Sequence, residues 1–224
     1  MKKIAITIIV AYLAIFAIAY NVAKKATKPA LTYITPKEVI EVAPPVKQMG
    51  IVRLHEVVSG TFVCSGVVIG KTTLFTAAHC IPDEMVLEVR AANGVRTGII
   101  AYAVGGNPRA DLAIMRGRLK RFQPLTYSAS PKVILNNIES NARTIIACGF
   151  PYGGELLCSP VLDRRMFAFH ISGRGYLYPG MSGGPVIDEA TGTVIGVNSA
   201  VTEKNILLAP LIEIWAACNV QPEP

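Results

Sequence analysis

Three short segments of this chain carry residue types that could together perform nucleophilic catalysis: Thr76-Ala77-Ala78-His79-Cys80, Ala110-Asp111-Leu112-Ala113-Ile114-Met115 and Pro179-Gly180-Met181-Ser182-Gly183-Gly184-Pro185-Val186. A serine hydroxyl is a poor nucleophile until a base takes its proton. Ser182 lies among Gly180, Gly183, Gly184 and Pro185, where the backbone can turn tightly and aim its amides at one point. Converging amides stabilise a developing oxyanion. The chain has three histidines that could serve as base, His55, His79 and His170. His79 follows two alanines at the end of an apolar run, a place from which an imidazole can project into a cleft. Asp111 opens another apolar run, so its carboxylate needs a polar partner, and an imidazole N–H would fix the tautomer and stabilise the imidazolium. Each segment alone has an ordinary structural use, as a strand-end histidine, a strand-start cap or a glycine-rich turn. The conjunction, in the order His, Asp, Ser, points to catalysis, with His79 expected within hydrogen-bond reach of both Asp111 and Ser182.

The elements that must position these residues are short. From Gly50 onward the chain consists of apolar runs rich in Val, Ile and Thr, cut by Gly, Pro and Asn: Phe62–Ile69, Thr73–Ala78, Met85–Ala91, Gly98–Val104, Leu112–Met115, Thr144–Cys148, Met166–Ile171, Pro185–Ile187, Thr193–Asn198 and Ile206–Leu208. Many short strands with almost no helical period predict an all-β sandwich or barrel. Leu211–Cys218 reads as the one helical segment of this region, a short C-terminal helix. No internal repeat is visible.

The N-terminus has a different texture. Residues 4–20 contain no charge and are flanked by Lys2-Lys3 and Lys24-Lys25. The run is long for a cleavable signal peptide and just long enough to span a bilayer, so residues 1–23 are read as a signal-anchor helix, with a signal peptide as the alternative. Residues 24–48, rich in Lys and Pro, read as a semi-rigid tether, and 49–224 as one folded domain. Residues 1–48 hold +5 of the net charge of +7. A nucleic-acid binder would carry its charge on the folded domain, so nucleic acid is excluded as a partner, whereas lysines beside an apolar helix suit a membrane surface. The folded domain is expected outside the cytoplasm, periplasmic or extracellular, and secreted if the segment is cleaved.

Of five cysteines, Cys64 and Cys80 could staple two neighbouring strands, and Cys148 and Cys158 could pin a hairpin with Gly153-Gly154 at its tip. Cys218 is left over. An oxidising compartment favours such bridges; the alternative is five reduced cysteines acting as small apolar residues. Without a Cys-x-x-Cys pair, and with the histidines far apart in sequence, no metal site and no cofactor are expected.

TAAHC, ADLAIM and GMSGGPV resemble the three catalytic segments of trypsin-like (chymotrypsin-fold) serine peptidases. Cys64–Ile69 is similar to that family's strand before the histidine, and Thr193–Ser199 to the strand against which substrate pairs. The resemblance spans about residues 50–218. It implies two six-stranded antiparallel Greek-key barrels with the site between them. It implies His79 as general base, Asp111 as its orienter and Ser182 as nucleophile. The amides of Gly180 and Ser182 would form the oxyanion hole, and Tyr176, Ser199, Ala200 and Val201 would line the substrate cleft. The implied reaction is hydrolysis of a polypeptide through an acyl-enzyme; the rival reading is a catalytically inactive binding module of the same fold at the membrane. The compact spacing of the triad resembles bacterial HtrA/Deg proteins and glutamyl endopeptidases more than digestive trypsins, without room after residue 218 for a PDZ domain. Met181 stands where zymogen-activated trypsins have an aspartate, so activation by N-terminal insertion is not expected. A mostly apolar P1 pocket is the first expectation; His170 and Thr202 leave recognition of an acidic P1 side chain as the alternative.

Overall fold

The computed structural model of the chain describes residues 50–81, 86–139, 143–167, 169–202 and 205–211. The anchor and tether expected over residues 1–48 lie outside the described residues, as does the C-terminal helix beyond Leu211, with Cys218. No helix among the described residues is long and apolar enough to cross a membrane.

Six strands, β1 (Ile51–Glu56), β2 (Phe62–Val68), β3 (Thr73–Thr76), β4 (Val86–Arg90), β5 (Arg96–Asn107) and β6 (Leu112–Gly117), close into a barrel in the order β1-β2-β3-β6-β5-β4. Six more, β7 (Ile145–Gly149), β8 (Leu157–Phe167), β9 (His170–Arg174), β10 (Pro185–Asp188), β11 (Thr193–Val201) and β12 (Ile206–Pro210), close into a second barrel in the order β10-β11-β12-β9-β8-β7. All pairings within the barrels are antiparallel. In each barrel the fourth strand returns beside the first, β4 on β1 and β10 on β7, which is the Greek key. The two barrels therefore repeat one topology that the sequence does not display.

Strand alternation divides the apolar residues between two destinations. Val52, Leu54, Val68, Leu74, Leu87 and Met115 fill the first barrel. Their neighbours Ile51, Val67, Phe75 and Leu112 join the larger cluster that contains Ala147, Val161, Ile171 and Val197 of the second. The face of β1, β2, β3 and β6 that turns away from its own interior is thus buried as well.

Three expectations need correction. The run Met166–Ile171 is not one strand: it joins the end of β8 to the start of β9, and Phe167 pairs with His170. β8 itself escaped notice because Pro160, a bulge between Leu162 and Arg165, and Asp163 at φ 47° interrupt its pattern. Finally, a helix lies within the domain before residue 211, α1 (Pro131–Glu139), with Ile134, Asn137 and Ile138 buried. Its signal was Pro131 directly after Ser130 and the Ile134–Ile138 spacing, the marks of a helix start and one apolar face.

Both expected disulfides are present, Cys64–Cys80 and Cys148–Cys158. Cys148 and Cys158 stand directly opposite each other in the β7–β8 hairpin. The first bridge closes a loop across a sequence separation of 16, a length for which the chain-entropy argument gives about 3 kcal/mol. The double substitution Cys64→Ala/Cys80→Ala is therefore expected to lower unfolding stability by about that amount in urea melts. No change in the midpoint would show that the bridge restrains a segment already ordered in the unfolded ensemble.

Candidate active site

β3 ends at Thr76, and the chain turns through one 3-10 turn, Ala78–Cys80, which presents His79 with its side chain half exposed. Asp111 closes another such turn, Pro108–Ala110, in the left-handed conformation (φ 55°, ψ 44°), immediately before β6. Aspartate is among the few residues other than glycine that tolerate this region. Its carboxylate is well satisfied. Oδ1 accepts from the His79 backbone N–H at 2.9 Å, and Oδ2 lies 2.7 Å from His79 Nδ1. Oδ2 also accepts from the Ser199 hydroxyl at 2.6 Å. The Asp111 hydrogen bond raises the His79 pKa above its ordinary value, against the opposing effect of burial. Burial pushes the Asp111 carboxyl up, but the hydrogen bonds from His79 and Ser199 outweigh it and hold the group below the ordinary range.

Ser182 sits in a loop that the two neighbouring barrels hold from opposite sides. Its carbonyl accepts from Ser65 N on β2 at 2.9 Å, and the Ser65 hydroxyl donates to Gly180 O at 2.7 Å. Gly180 and Gly183 have φ of 93° and 77°, positive values that strongly favour glycine. Met181 is fully buried. The Ser182 hydroxyl points to Ser199 O at 3.5 Å. Among the described residues it makes no hydrogen bond to His79, whose Nε2 lies 3.8 Å from Cys80 Sγ. The structure thus brings His79 and Asp111 into direct contact, but the expected hydrogen bond between His79 and Ser182 is not formed; catalytic hydrogen bonds in apo sites are often long or poorly aligned.

His55 is buried on β1, with Nδ1 3.0 Å from Gly60 O, and burial lowers its pKa, so it has no access to a substrate proton. Tyr176 and Val201 are exposed, as is Ala200, whereas Ser199 is buried against Asp111. The Thr202 hydroxyl closes a turn onto Asn205 O at 3.0 Å, and His170 begins β9. Ligand atoms of Cys64, His79 and Cys80 lie within 4.8 Å of one another, but both sulfurs are bonded in the disulfide, leaving no thiolate for a metal. Sequence reasoning missed the second use of Ser199, as a donor to Asp111. It also missed Asn198, whose side chain donates to Met181 O and Cys148 O. Neither role has a signal in local pattern, since both depend on β11 passing behind the loop.

Two closed Greek-key barrels, with a His–Asp pair on one and a glycine-bounded serine on the other, define the chymotrypsin-like class. The sequence matches the trypsin-like peptidase domain over residues 64–197, and the chain belongs to that family. No curated protein matches it by sequence. Among solved structures, the active form of the Rv3671c protease from M. tuberculosis is 20% identical, with a TM-score of 0.65 over 84% of this chain and 90% of that one. Deg5 is 21% identical, with a TM-score of 0.58 over 76% of this chain and 88% of that one. The HtrA-type protease AlgW with decapeptide is 19% identical, with a TM-score of 0.57 over 74% and 62%. At such identities the likeness concerns the fold.

Proposed function

We propose that the chain is a serine endopeptidase that acts through His79, Asp111 and Ser182, tethered to a membrane by residues 1–23 with its barrels outside the cytoplasm. The observation that carries this reading is the Asp111 carboxylate, which gathers the His79 backbone N–H, His79 Nδ1 and the Ser199 hydroxyl at 2.6–2.9 Å. Such an arrangement fixes the imidazole with Nε2 free to accept a proton. Substrate entry displaces the Ser182 hydroxyl from Ser199 O toward Nε2. Ser182 Oγ attacks the scissile carbonyl carbon as Nε2 takes its proton, and the N–H groups of Gly180 and Ser182 receive the oxyanion. The imidazolium then gives the proton to the leaving amine, and water attacks the acyl-enzyme by the reverse sequence of proton transfers. Tyr176, Ala200 and Val201 border the substrate, and their exposure supports that role. The two disulfides support an oxidising location.

The deciding experiment is labelling by a fluorophosphonate probe. Full-length protein should take one label at Ser182, and Ser182→Ala should take none. A folded wild type that stays unlabelled, and that hydrolyses no peptide library, would leave the inactive binding module as the better reading. Fractionation of tagged cells addresses the anchor: recovery only as a shortened soluble product would mean a cleaved signal peptide.

A further inference from the structure

Asn198 lies on β11 directly before Ser199 and is completely buried. Its side-chain nitrogen donates to Cys148 O at 2.7 Å and to Met181 O at 2.9 Å. Its main chain grips the same loop: Gly183 N donates to Asn198 O and Asn198 N to Gly184 O, both at 2.8 Å. Because both side-chain partners are carbonyls, only the NH2 end of the amide can face them, and its orientation is fixed. The other end, Oδ1, is buried with no hydrogen-bond partner. An unpaired buried acceptor is costly, and a leucine of similar shape would avoid it. What asparagine supplies in exchange is two donors.

Met181 O belongs to the peptide unit whose N–H is that of Ser182. In a planar trans peptide the C=O and N–H point in opposite directions. Holding Met181 O inward on Asn198 therefore turns Ser182 N–H outward. The other oxyanion donor is set in the same way, since Pro179 O accepts from Tyr152 N at 2.7 Å and Gly180 N–H must point the opposite way. Gly184 N also donates to Met181 O, at 3.0 Å, and Gly184 is itself held on β11 by Asn198 N, so the backbone supplies one tie and the side chain a second, direct one. The Asn198 side chain ties that carbonyl to a barrel strand.

We propose that Asn198 is the positioning residue of the oxyanion hole: its amide locks the Met181–Ser182 peptide so that Ser182 N–H meets the reacting carbonyl. The uncharged Met181 side chain gives an inserted amino terminus nothing to pair with; Ser65 on β2 holds the carbonyls on either side, Gly180 O and Ser182 O, and Gly184 N and the Asn198 side chain hold Met181 O itself. The proposal rests on the hydrolase reading above.

The test uses the full-length chain in detergent micelles, as wild type and as Asn198→Leu. A fluorogenic peptide gives kcat and KM, a peptide boronate gives affinity for a tetrahedral adduct, and thermal melts report folding. Loss of one oxyanion donor lowers kcat by about 10²–10³. Asn198→Leu is expected near the lower figure, with KM within about threefold of wild type. Boronate affinity should fall in step with kcat, because the adduct uses the same N–H. A folded Asn198→Leu with unchanged kcat and boronate affinity overturns the proposal. So does a loss that tracks only the unfolded fraction, with affinity intact in the folded part. If Asn198→Leu does not fold, Asn198→Ser, too short to reach both carbonyls, is measured on the same readouts. A wild type that neither turns over nor takes boronate fails the hydrolase reading, and the proposal falls with it; an active wild type beside unaltered variants fails the proposal alone.

Discussion

Asp111→Asn is expected to lower kcat/KM about ten-thousandfold while leaving the fold intact. The carboxylate accepts three hydrogen bonds, from His79 N on Oδ1 and from His79 Nδ1 and Ser199 Oγ on Oδ2. An asparagine can keep only one acceptor oxygen. The backbone N–H of His79 cannot rotate away, so the carbonyl end must stay there. The NH2 group then faces Ser199, whose hydroxyl can turn and accept, and His79 Nδ1, which can accept only in the opposite tautomer. That tautomer carries its proton on Nε2, where it can no longer take one from Ser182. Asparagine is as tolerant as aspartate of the left-handed conformation at this position, so the loss should appear in rate and not in the melting temperature. The pH profile provides a second readout. With His79 as the proposed base, activity needs it neutral; the Asp111 hydrogen bond raises its pKa, so wild-type kcat/KM should climb with pH through an inflection above the ordinary histidine value of about 6.5. In Asp111→Asn that inflection should fall. The linked stability has the opposite sign: a raised folded pKa stabilises below the unfolded value and loses that contribution as pH rises through the folded one. For a half-exposed imidazole this term is small. A variant within tenfold of wild type, or an unmoved inflection, would remove Asp111 from the mechanism.

The three residues proposed to do the chemistry were legible in the sequence because each is bound to a local pattern. His79 stands at the end of an apolar strand, Asp111 opens another, and Ser182 needs glycines around it. The strands themselves were legible wherever a short run of apolar and β-branched residues is bounded by turn residues, as in β2, β3, β6 and β11, whose consecutive residues are mostly buried. β8 was not, since its bulge and Asp163 break the period. α1 was hidden by its brevity: two isoleucines on one face of a nine-residue helix read equally well as loop. Strand order, and with it the repeat of one topology in two barrels, follows from pairings between distant segments that no window of sequence contains. The roles of Ser199 and Asn198 belong to the same class. Each is polar and lies mid-strand, where period alone predicts a side chain facing either core or solvent. Only the passage of β11 behind the Ser182 loop gives one hydroxyl a carboxylate to serve and one amide two carbonyls to hold.

Gly183→Ala should be among the most destabilising single substitutions in the chain. The sequence explains this glycine only by the turn beside a nucleophile; the structure gives it a second function at the junction of the barrels. Its φ of 77° alone costs a residue with a Cβ roughly 1–2 kcal/mol. In addition, a methyl group there would overlap Thr76 Oγ1 and Ser65 O and lie 2.8 Å from Ala77 N. Those atoms belong to β2 and to the end of β3, and they are held in turn: Thr76 Oγ1 donates to Ser65 O at 2.8 Å, and Ser65 N donates to Ser182 O at 2.9 Å. Relief would require the barrels to separate locally or the loop to shift, and overpacking of this kind costs about 1–3 kcal/mol more. The expected total is about 2–5 kcal/mol, a large share of the stability of an ordinary domain. Gly192 supplies the control. It has nearly the same φ, 68°, but a Cβ placed there meets nothing within 4 Å. Gly192→Ala should therefore show the backbone cost alone, and the difference between the two variants in urea melts isolates the overlap. Equal losses at the two glycines would mean that the junction has room to yield, and that Gly183 serves the loop conformation only. If the overlap is real, the surviving folded fraction of Gly183→Ala should also hydrolyse substrate poorly, because the same displacement moves Ser182 away from His79 across the cleft.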